Sequence, residues 1–312
     1  MKIISAAKDL AAGGRKVCLA IGVFDGVHLG HQQIIRQTIT DARQHDGLAL
    51  VVTFDRHPSA IVAPERQPSL IYSLPQKLRA LAALGADAVL VFPFDAGFSR
   101  QTGEEFIHLL ARDLGKIHSI CVGANFVFGH QRSGNVDLLK KLGASLNFNV
   151  HGLAAVALDG LIISSTRIRE AIRQGDLDHA SQMLGRPYAL CGQIVTGDRL
   201  GRQLGFPTAN LDATALSLPP NGVYAALTQV NEQRYRVALN IGRRPTLNSP
   251  APALRVEAHL LDFAGDLYGR ELEVEVGDRL REEKKFTSPE QLKEQIARDV
   301  QSIRAKDRPQ TI

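Results

Sequence analysis

Over the first half of the chain, short apolar runs alternate with segments whose apolar positions recur every three to four residues. The runs at 17–21, 48–54, 88–92 and 117–122 are short and almost continuously apolar, so they read as strands buried on both faces. Between them, Ile34, Ile35, Thr38 and Ile39 carry a helical period, and 77–84 and 104–114 read as helices in the same way. This alternation predicts a parallel sheet with crossover helices. Ligands of such sheets bind outside the carboxyl ends of the strands, so the segments that follow 17–21, 48–54 and 117–122 are expected on one rim.

After an apolar stretch at 150–158, hydroxyl residues precede a further helical run containing Ala171 and Ile172, and a short helix is expected at 177–184, ahead of Gly185-Arg186-Pro187. Beyond this point the pattern changes. Runs at 189–195, 223–230, 235–241, 255–261 and 271–276 are separated by Gly, Pro, Asn and Asp, which predicts an antiparallel barrel. The segment 288–303 opens with Ser-Pro-Glu and places Leu292, Ile296, Val300 and Ile303 at helical spacing, so the barrel should end in a helix. Two domains are expected, 1–184 and 185–312, in keeping with a length of 312 residues.

Three segments carry chemistry. The first is Gly22-Val23-Phe24-Asp25-Gly26-Val27-His28-Leu29-Gly30-His31, at the junction of the 17–21 strand and the next helix. Asp25-Gly26 supplies a turn, Gly30 allows close approach to the backbone, and His28 and His31 are three apart, on one helix face beside free N–H groups. That pattern suits polyphosphate. A zinc site would need four ligands, and neither H-E-x-x-H nor C-x-x-C occurs. The second is Ile163-Ser164-Ser165-Thr166-Arg167-Ile168-Arg169, where three hydroxyls at a helix start are followed by two guanidinium groups. An N-cap needs one hydroxyl; the remainder fits anion binding. The third is Gly201-Arg202-Gln203-Leu204-Gly205-Phe206-Pro207-Thr208-Ala209-Asn210, in which the oxygens of Thr208 and Asn210 are hard ligands suited to Mg²⁺ beside a nucleotide phosphate.

The first two segments resemble the two signatures of the nucleotidyltransferase superfamily, H-x-G-H and I-S-S-T-x-x-R, and the longer first string looks like its FAD synthetase branch. The third resembles the P-T-A-N motif of riboflavin kinases, with supporting strings at Gly222-Val223-Tyr224, Asn240-Ile241-Gly242-Arg243-Arg244-Pro245-Thr246, Leu261-Asp262-Phe263 and Asp266-Leu267-Tyr268-Gly269. Over about residues 15 to 305 the chain is thus similar to the bacterial bifunctional riboflavin kinase/FAD synthetase family. The resemblance implies a Rossmann-like nucleotidyltransferase domain followed by a β-barrel kinase domain with a terminal helix. It implies ATP and Mg²⁺ as requirements, and riboflavin, FMN and FAD as substrates and products. It carries ATP binding onto Gly22, Phe24, Asp25, Gly26, His28, Gly30, His31, Asn125, Ser164, Ser165, Thr166 and Arg169, with His28, His31 and Arg169 acting on the phosphates. In the second domain it implies ATP or flavin contacts from Gly201, Arg202, Gly205, Pro207, Thr208, Asn210 and Arg281, metal binding by Thr208 and Asn210, and a general base at Glu257. Two departures stand out: Arg56 replaces a usual proline in Asp55-Arg56-His57-Pro58, and Asn125 replaces a usual Asp.

Composition fits this picture. The net charge of +5 suits anionic small molecules, while scattered basic residues and only 5% aromatics disfavour nucleic acid. Cys18, Cys121 and Cys191 are far apart among apolar neighbours, as reduced core thiols of a cytoplasmic protein would be. Lys2, Lys8, Asp9, Arg15 and Lys16 interrupt the N-terminus and no later run could span a bilayer, so neither signal peptide nor membrane helix is expected. Nothing in the sequence fixes an oligomeric state. A single-activity adenylyltransferase and a non-enzymatic flavin-binding regulator are the alternatives; the first would leave Thr208, Asn210 and Glu257 idle.

Overall fold

The computed structural model describes residues 1–196, 200–244 and 253–305. These residues divide into two compact units, one comprising 1–70 and 74–165, the other 71–73 and the described residues from Thr166 onward.

In the first unit the order is β1 (Lys2–Ile4), β2 (Val17–Ile21), α1 (Leu29–Gln44), β3 (Leu48–Phe54), α2 (Ser59–Val62), α3 (Leu74–Ala83), β4 (Ala88–Phe92), α4 (Gly103–Leu114), β5 (Ile117–Gly123), β6 (Val127–Phe128), β7 (Gly134–Asn135), α5 (Val136–Leu146), β8 (Asn149–Leu153), β9 (Ala157–Leu158) and β10 (Leu161–Ile162). Six strands form one parallel sheet in the order β1-β4-β3-β2-β5-β8. The chain runs outward from β2 through β3 and β4, then returns to β5 on the other side of β2. Between β2 and β5 lies the topological switch point where such sheets bind ligands.

Strand alternation sends the sheet's side chains into two cores. Leu19, Ile21, Leu50, Val52 and Leu90 pack with Phe106, Ile107, Leu110 and Leu139 of α4 and α5; Cys18, Ala20, Val51 and Val89 pack with Ile34, Ile35 and Ile39 of α1 and Leu81 of α3. Burial on both faces explains why these strands read as unbroken apolar runs. Helix α4 begins at a capping box: Thr102 Oγ1 accepts from the Glu105 N–H, and the Glu105 carboxylate accepts from the Thr102 N–H at 2.8 Å.

The second unit contains α6 (Ser165–Gln174), whose first residue belongs to the first unit, then α7 (Leu177–Leu184), β11 (Ala189–Val195), α8 (Leu200–Gln203), β12 (Ala209–Leu211), β13 (Gly222–Val230), β14 (Gln233–Arg244), β15 (Ala253–Leu260), β16 (Glu271–Arg281) and α9 (Pro289–Ala305). Its strands form a closed antiparallel barrel in the order β11-β12-β15-β14-β13-β16. Closure leaves no free sheet edge. Segment 71–73 joins this unit, where Arg186 Nε donates to Tyr72 Oη at 2.8 Å and the guanidinium lies 5.0 Å from the Tyr72 ring centre. Arg281 anchors α9 to the barrel: its Nε and Nη2 donate to the Asp299 carboxylate at 2.8–3.0 Å, with the side chains only 15% and 8% exposed.

Candidate functional sites

In the first unit, β2 ends at Ile21 and the Gly22 N–H continues the ladder to Val52 O at 3.1 Å. The chain then turns through residues of positive φ: Phe24 at 52°, Gly26 at 78° and Val27 at 41°. For a phenylalanine and a β-branched valine this is strained backbone, costing about 1–3 kcal/mol each, and such strain persists only where the surroundings enforce it. Here every second carbonyl is held by a side chain. Val23 O accepts from Thr53 Oγ1 at 3.0 Å and from Lys77 Nζ at 3.2 Å, Asp25 O from Ser165 Oγ at 3.0 Å, and Val27 O from Gln32 Nε2 at 3.0 Å. The Ser165 bond brings the hydroxyl segment onto the glycine loop, 140 residues away in sequence.

His28 is the N-cap of α1 rather than a residue within it, and its Nδ1 accepts from the His31 N–H at 3.4 Å. The two imidazoles are stacked 3.6 Å apart, and Phe24 meets the His31 ring edge-on at 5.2 Å. Gly30 serves this stack: a Cβ there would lie 3.2 Å from His28 Cε1. His28 and Asp25 are both buried. Ser164 is half-buried just ahead of α6, Asn125 is exposed in the turn after β5, and on α6 Thr166 is exposed while Arg169 is buried.

Beside this loop, phenylalanines gather at the carboxyl ends of the strands. Phe54, Phe92, Phe94, Phe98 and Phe106 form a chain of ring contacts with centres 5.3–5.7 Å apart, and Phe128 lies 6.3 Å from Phe106 and stacks on Phe126 at 5.1 Å. Phe54, Phe94, Phe98, Phe126 and Phe128 keep part of their surface open. The Asp55 carboxylate accepts from the Phe94 N–H at 2.8 Å and pairs with Arg56 at 2.9 Å, so the arginine standing in place of the usual proline makes an ion pair. Burial pushes Asp55 up, but the bonds from Arg56 and Phe94 outweigh it and hold the carboxyl below its usual range.

The sequence reading did not single out Lys77, Thr53 or Gln32. Thr53 and Phe54 lie in a segment expected on this rim; Lys77 had no motif to mark it.

In the second unit, β12 pairs with β15 so that Asn210 stands opposite Glu257, and Glu257 in turn stands opposite Asn240 of β14. The three share one face of three adjacent strands, while Val256 and Ala258 are buried on the other. Thr208, two residues before Asn210, lies in the segment entering β12. Gly201 is needed for that segment's path: a Cβ there would collide with Phe206 O and lie 3.2 Å from Thr208 Oγ1. Gly205 turns the chain at φ 88°, and His259 Nδ1 contacts Pro207 O at 2.8 Å. Arg202, Pro207 and Thr208 line a cavity of about 470 Å³ together with Leu260, Phe263 and Tyr268; Asn210 and Glu257 are not part of its wall. Arg281 is committed to Asp299. Pro245 and Thr246 of the 240–246 string lie outside the described residues.

Among the described residues no group of three or more His, Cys, Asp or Glu could hold a metal ion. Asn210, opposite Glu257 in the ladder, and Thr208, two residues before it, both carry neutral side-chain oxygens, a donor type that fits Mg²⁺ of the kind that keeps most of its ligands from water and phosphate.

Residues 11–167 match the family model for FAD synthetase, and 184–306 match that for riboflavin kinase. The chain is 38% identical over 302 residues to the bifunctional riboflavin kinase/FMN adenylyltransferase of Escherichia coli K12, covering 96% of each chain. It is 36% identical over 305 residues to that of Pseudomonas fluorescens, covering 98% of this chain and 97% of that one. A crystal structure described as a macrolide-efflux protein from Streptococcus pneumoniae superposes with a TM-score of 0.80 at 29% identity, covering 98% of this chain and 99% of that one. Efflux and flavin chemistry do not agree, and both family models and the full-length relatives decide for the latter. The chain therefore belongs to the bifunctional riboflavin kinase/FMN adenylyltransferase family.

Proposed function

We propose that the chain makes FAD from riboflavin in two transfers from ATP, each with its own set of residues. In the second unit the ribityl hydroxyl of riboflavin attacks the γ-phosphorus, forming an O–P bond as ADP leaves. Glu257 takes the hydroxyl proton, and Thr208 and Asn210 hold Mg²⁺, which when bound neutralises charge on the phosphates. Arg202, Gly205 and Pro207 line the approach, and the Arg281–Asp299 pair keeps α9 on the barrel. At the His-Gly-His loop a phosphate oxygen of FMN attacks the α-phosphorus of a second ATP, and pyrophosphate leaves. Neither step needs a protein nucleophile; alignment and charge neutralisation suffice. His28, His31, Ser164, Thr166 and Arg169 hold the triphosphate and the leaving pyrophosphate, while Asp25 and Asn125 flank the nucleotide. The open phenylalanine faces at the rim are a surface on which a flavin ring stacks.

The functional boundary stays at 184/185, which agrees with the start of the riboflavin kinase match at 184. Three free, buried cysteines support action in the reducing cytoplasm. The observation that carries the reading is the pairing of unlike phosphate devices: a strained His-Gly-His loop tied to a distant hydroxyl segment in one unit, and the Asn210–Glu257 cross-strand pair in the other. Incubation with riboflavin, ATP and Mg²⁺, with flavins separated over time, is expected to yield FMN first and FAD later. FMN that accumulates without FAD at every ATP and magnesium level would remove the adenylyltransferase half.

A further inference from the structure

Lys77 of α3 is only 7% exposed, in a chain whose other buried charges can be traced to ion pairs or to the sequence motifs. Lysine is almost never buried without a use, since removing an ammonium from water is costly. Its Nζ donates to three acceptors: Phe54 O at 2.8 Å, Thr53 Oγ1 at 3.1 Å and Val23 O at 3.2 Å. Thr53 gives its own proton to Val23 O, so it meets Lys77 with a lone pair. The ammonium has three N–H groups for three acceptors; a neutral amine has two, and one acceptor would go without. Two of these acceptors end β3, and the third opens the segment of positive φ that leads to His28. The charged groups facing the ammonium are Asp25 in that segment and Asp55 just beyond β3, the latter paired with Arg56.

We propose that Lys77 is a positioning residue for adenylyl transfer: its protonated side chain fastens the strained segment 23–27 to the end of β3 and so presents His28 and Asp25 to a nucleoside triphosphate. The proposal rests on the functional reading given for the first unit. It has a consequence in pH, because burial pushes the Lys77 ammonium down to about 8 against the opposing pull of Asp25 and Asp55. Above that pH the third N–H is lost and the clamp loosens. A bound polyphosphate, being anionic, favours the protonated form, so nucleotide binding and proton uptake at Lys77 should be linked.

The test uses the full chain and the variant Lys77→Met, assaying FAD formation from supplied FMN and FMN formation from riboflavin between pH 6.5 and 9.5. Wild-type kcat/KM for ATP in adenylyl transfer, which reports the free enzyme, should fall about tenfold per pH unit above an apparent pKa near 8. At pH 7 Lys77→Met should be about 10²-fold slower in that step, without the alkaline limb, and within twofold of wild type in the kinase step at every pH. Adenylyl transfer within threefold of wild type, or an unchanged alkaline limb, would overturn the proposal. Should the variant fail to fold, wild-type protein labelled at the lysine ε-carbons decides by NMR. One lysine should titrate near pH 8 and move upward when α,β-methylene-ATP is added; absence of such a lysine, or one unmoved by the nucleotide, counts against the clamp. Wild type that makes no FAD at any pH refutes the functional reading instead, and the NMR titration still judges Lys77.

Discussion

In the first unit, the His-Gly-His groups proposed to hold ATP sit in the loop beyond β2 and in the first turn of α1, whereas in the second Asn210 and Glu257 sit on the strands themselves. The first site gets its shape from strained backbone at Phe24 and Val27, held by donors from Thr53, Lys77, Gln32 and Ser165. The second gets it from register: antiparallel pairing alone sets Asn210, Glu257 and Asn240 side by side. A site built by clamps should fail when residues that touch no substrate are changed. A site built by register should tolerate such changes and respond mainly to the reacting groups themselves.

The most severe way to break the comparison is to separate the units. A fragment covering 185–312 is expected to phosphorylate riboflavin and to make no FAD, as measured by flavin chromatography of the purified fragment. Because α6 and α7 pack with the barrel unit, a fragment covering 166–312 should show the higher thermal midpoint of the two. A folded 185–312 fragment that binds riboflavin but turns over only with the rest of the chain added would mean that the sites are not independent.

Next in size is Glu257→Gln, which keeps shape but cannot accept the hydroxyl proton. Riboflavin phosphorylation should fall by about 10²–10⁴, the usual worth of a positioned base, while supplied FMN is still adenylylated. A loose transition state would place the result at the low end. Unchanged kinase turnover would make Glu257 an ordinary half-exposed strand residue. The mirror experiment is His28→Ala or His31→Ala, each expected to slow FAD formation about 10²–10³-fold, near 3 kcal/mol of barrier, with FMN formation spared. Equal loss of both activities would show that the stacked histidines hold up the fold rather than the phosphates.

The smallest effect concerns stability and separates the units by pH. Tyr188 in the second unit is fully buried, donates to Ser217 O, and has its phenol pushed well above the ordinary value by burial. A raised folded pKa means that the unfolded chain ionises first. The contribution of Tyr188 is therefore complete below pH 10 and is lost as pH rises beyond it. Tyr188→Phe should cost about 1 kcal/mol at pH 8, the worth of one hydrogen bond, and should reduce the alkaline loss of stability in denaturant titrations. A variant whose stability falls as steeply as wild type above pH 10 would assign that loss to other groups.

How much of this was legible in the chain follows from the same contrast. Strands β2, β3 and β4 match the apolar runs 17–21, 48–54 and 88–92 to the residue, because burial on both faces makes the run itself the signal. Strand β1 was invisible: three residues with only Ile4 buried show no period. Helix α5 is absent from the expected elements although Val136, Leu139, Leu142 and Leu146 recur at helical spacing and pack on the core. Strands β14 and β16 run on to Arg244 and Arg281, past the expected ends at 241 and 276, since an antiparallel strand with one open face accepts polar residues. Within the sites, His28, His31, Thr208 and Asn210 stood in motifs. Lys77 did not: its role depends on three acceptors brought together by the sheet, and a single lysine in a helix looks like any solvated one.

The sorting of aromatic residues between the units gives the molecule an optical asymmetry. The chain has no tryptophan and five tyrosines, and all five, Tyr72, Tyr188, Tyr224, Tyr235 and Tyr268, belong to the second unit, whereas the ring contacts of the first are among phenylalanines and histidines. Light absorbed near 280 nm therefore excites only the barrel unit. Tyrosine emission and near-ultraviolet dichroism in that band follow the barrel unit with its segment 71–73, while the first unit is dark. The intact chain thus carries its own reporter: a tyrosine signal followed through unfolding reads the second unit, so the loss of one unit can be told from the loss of the other without any added label.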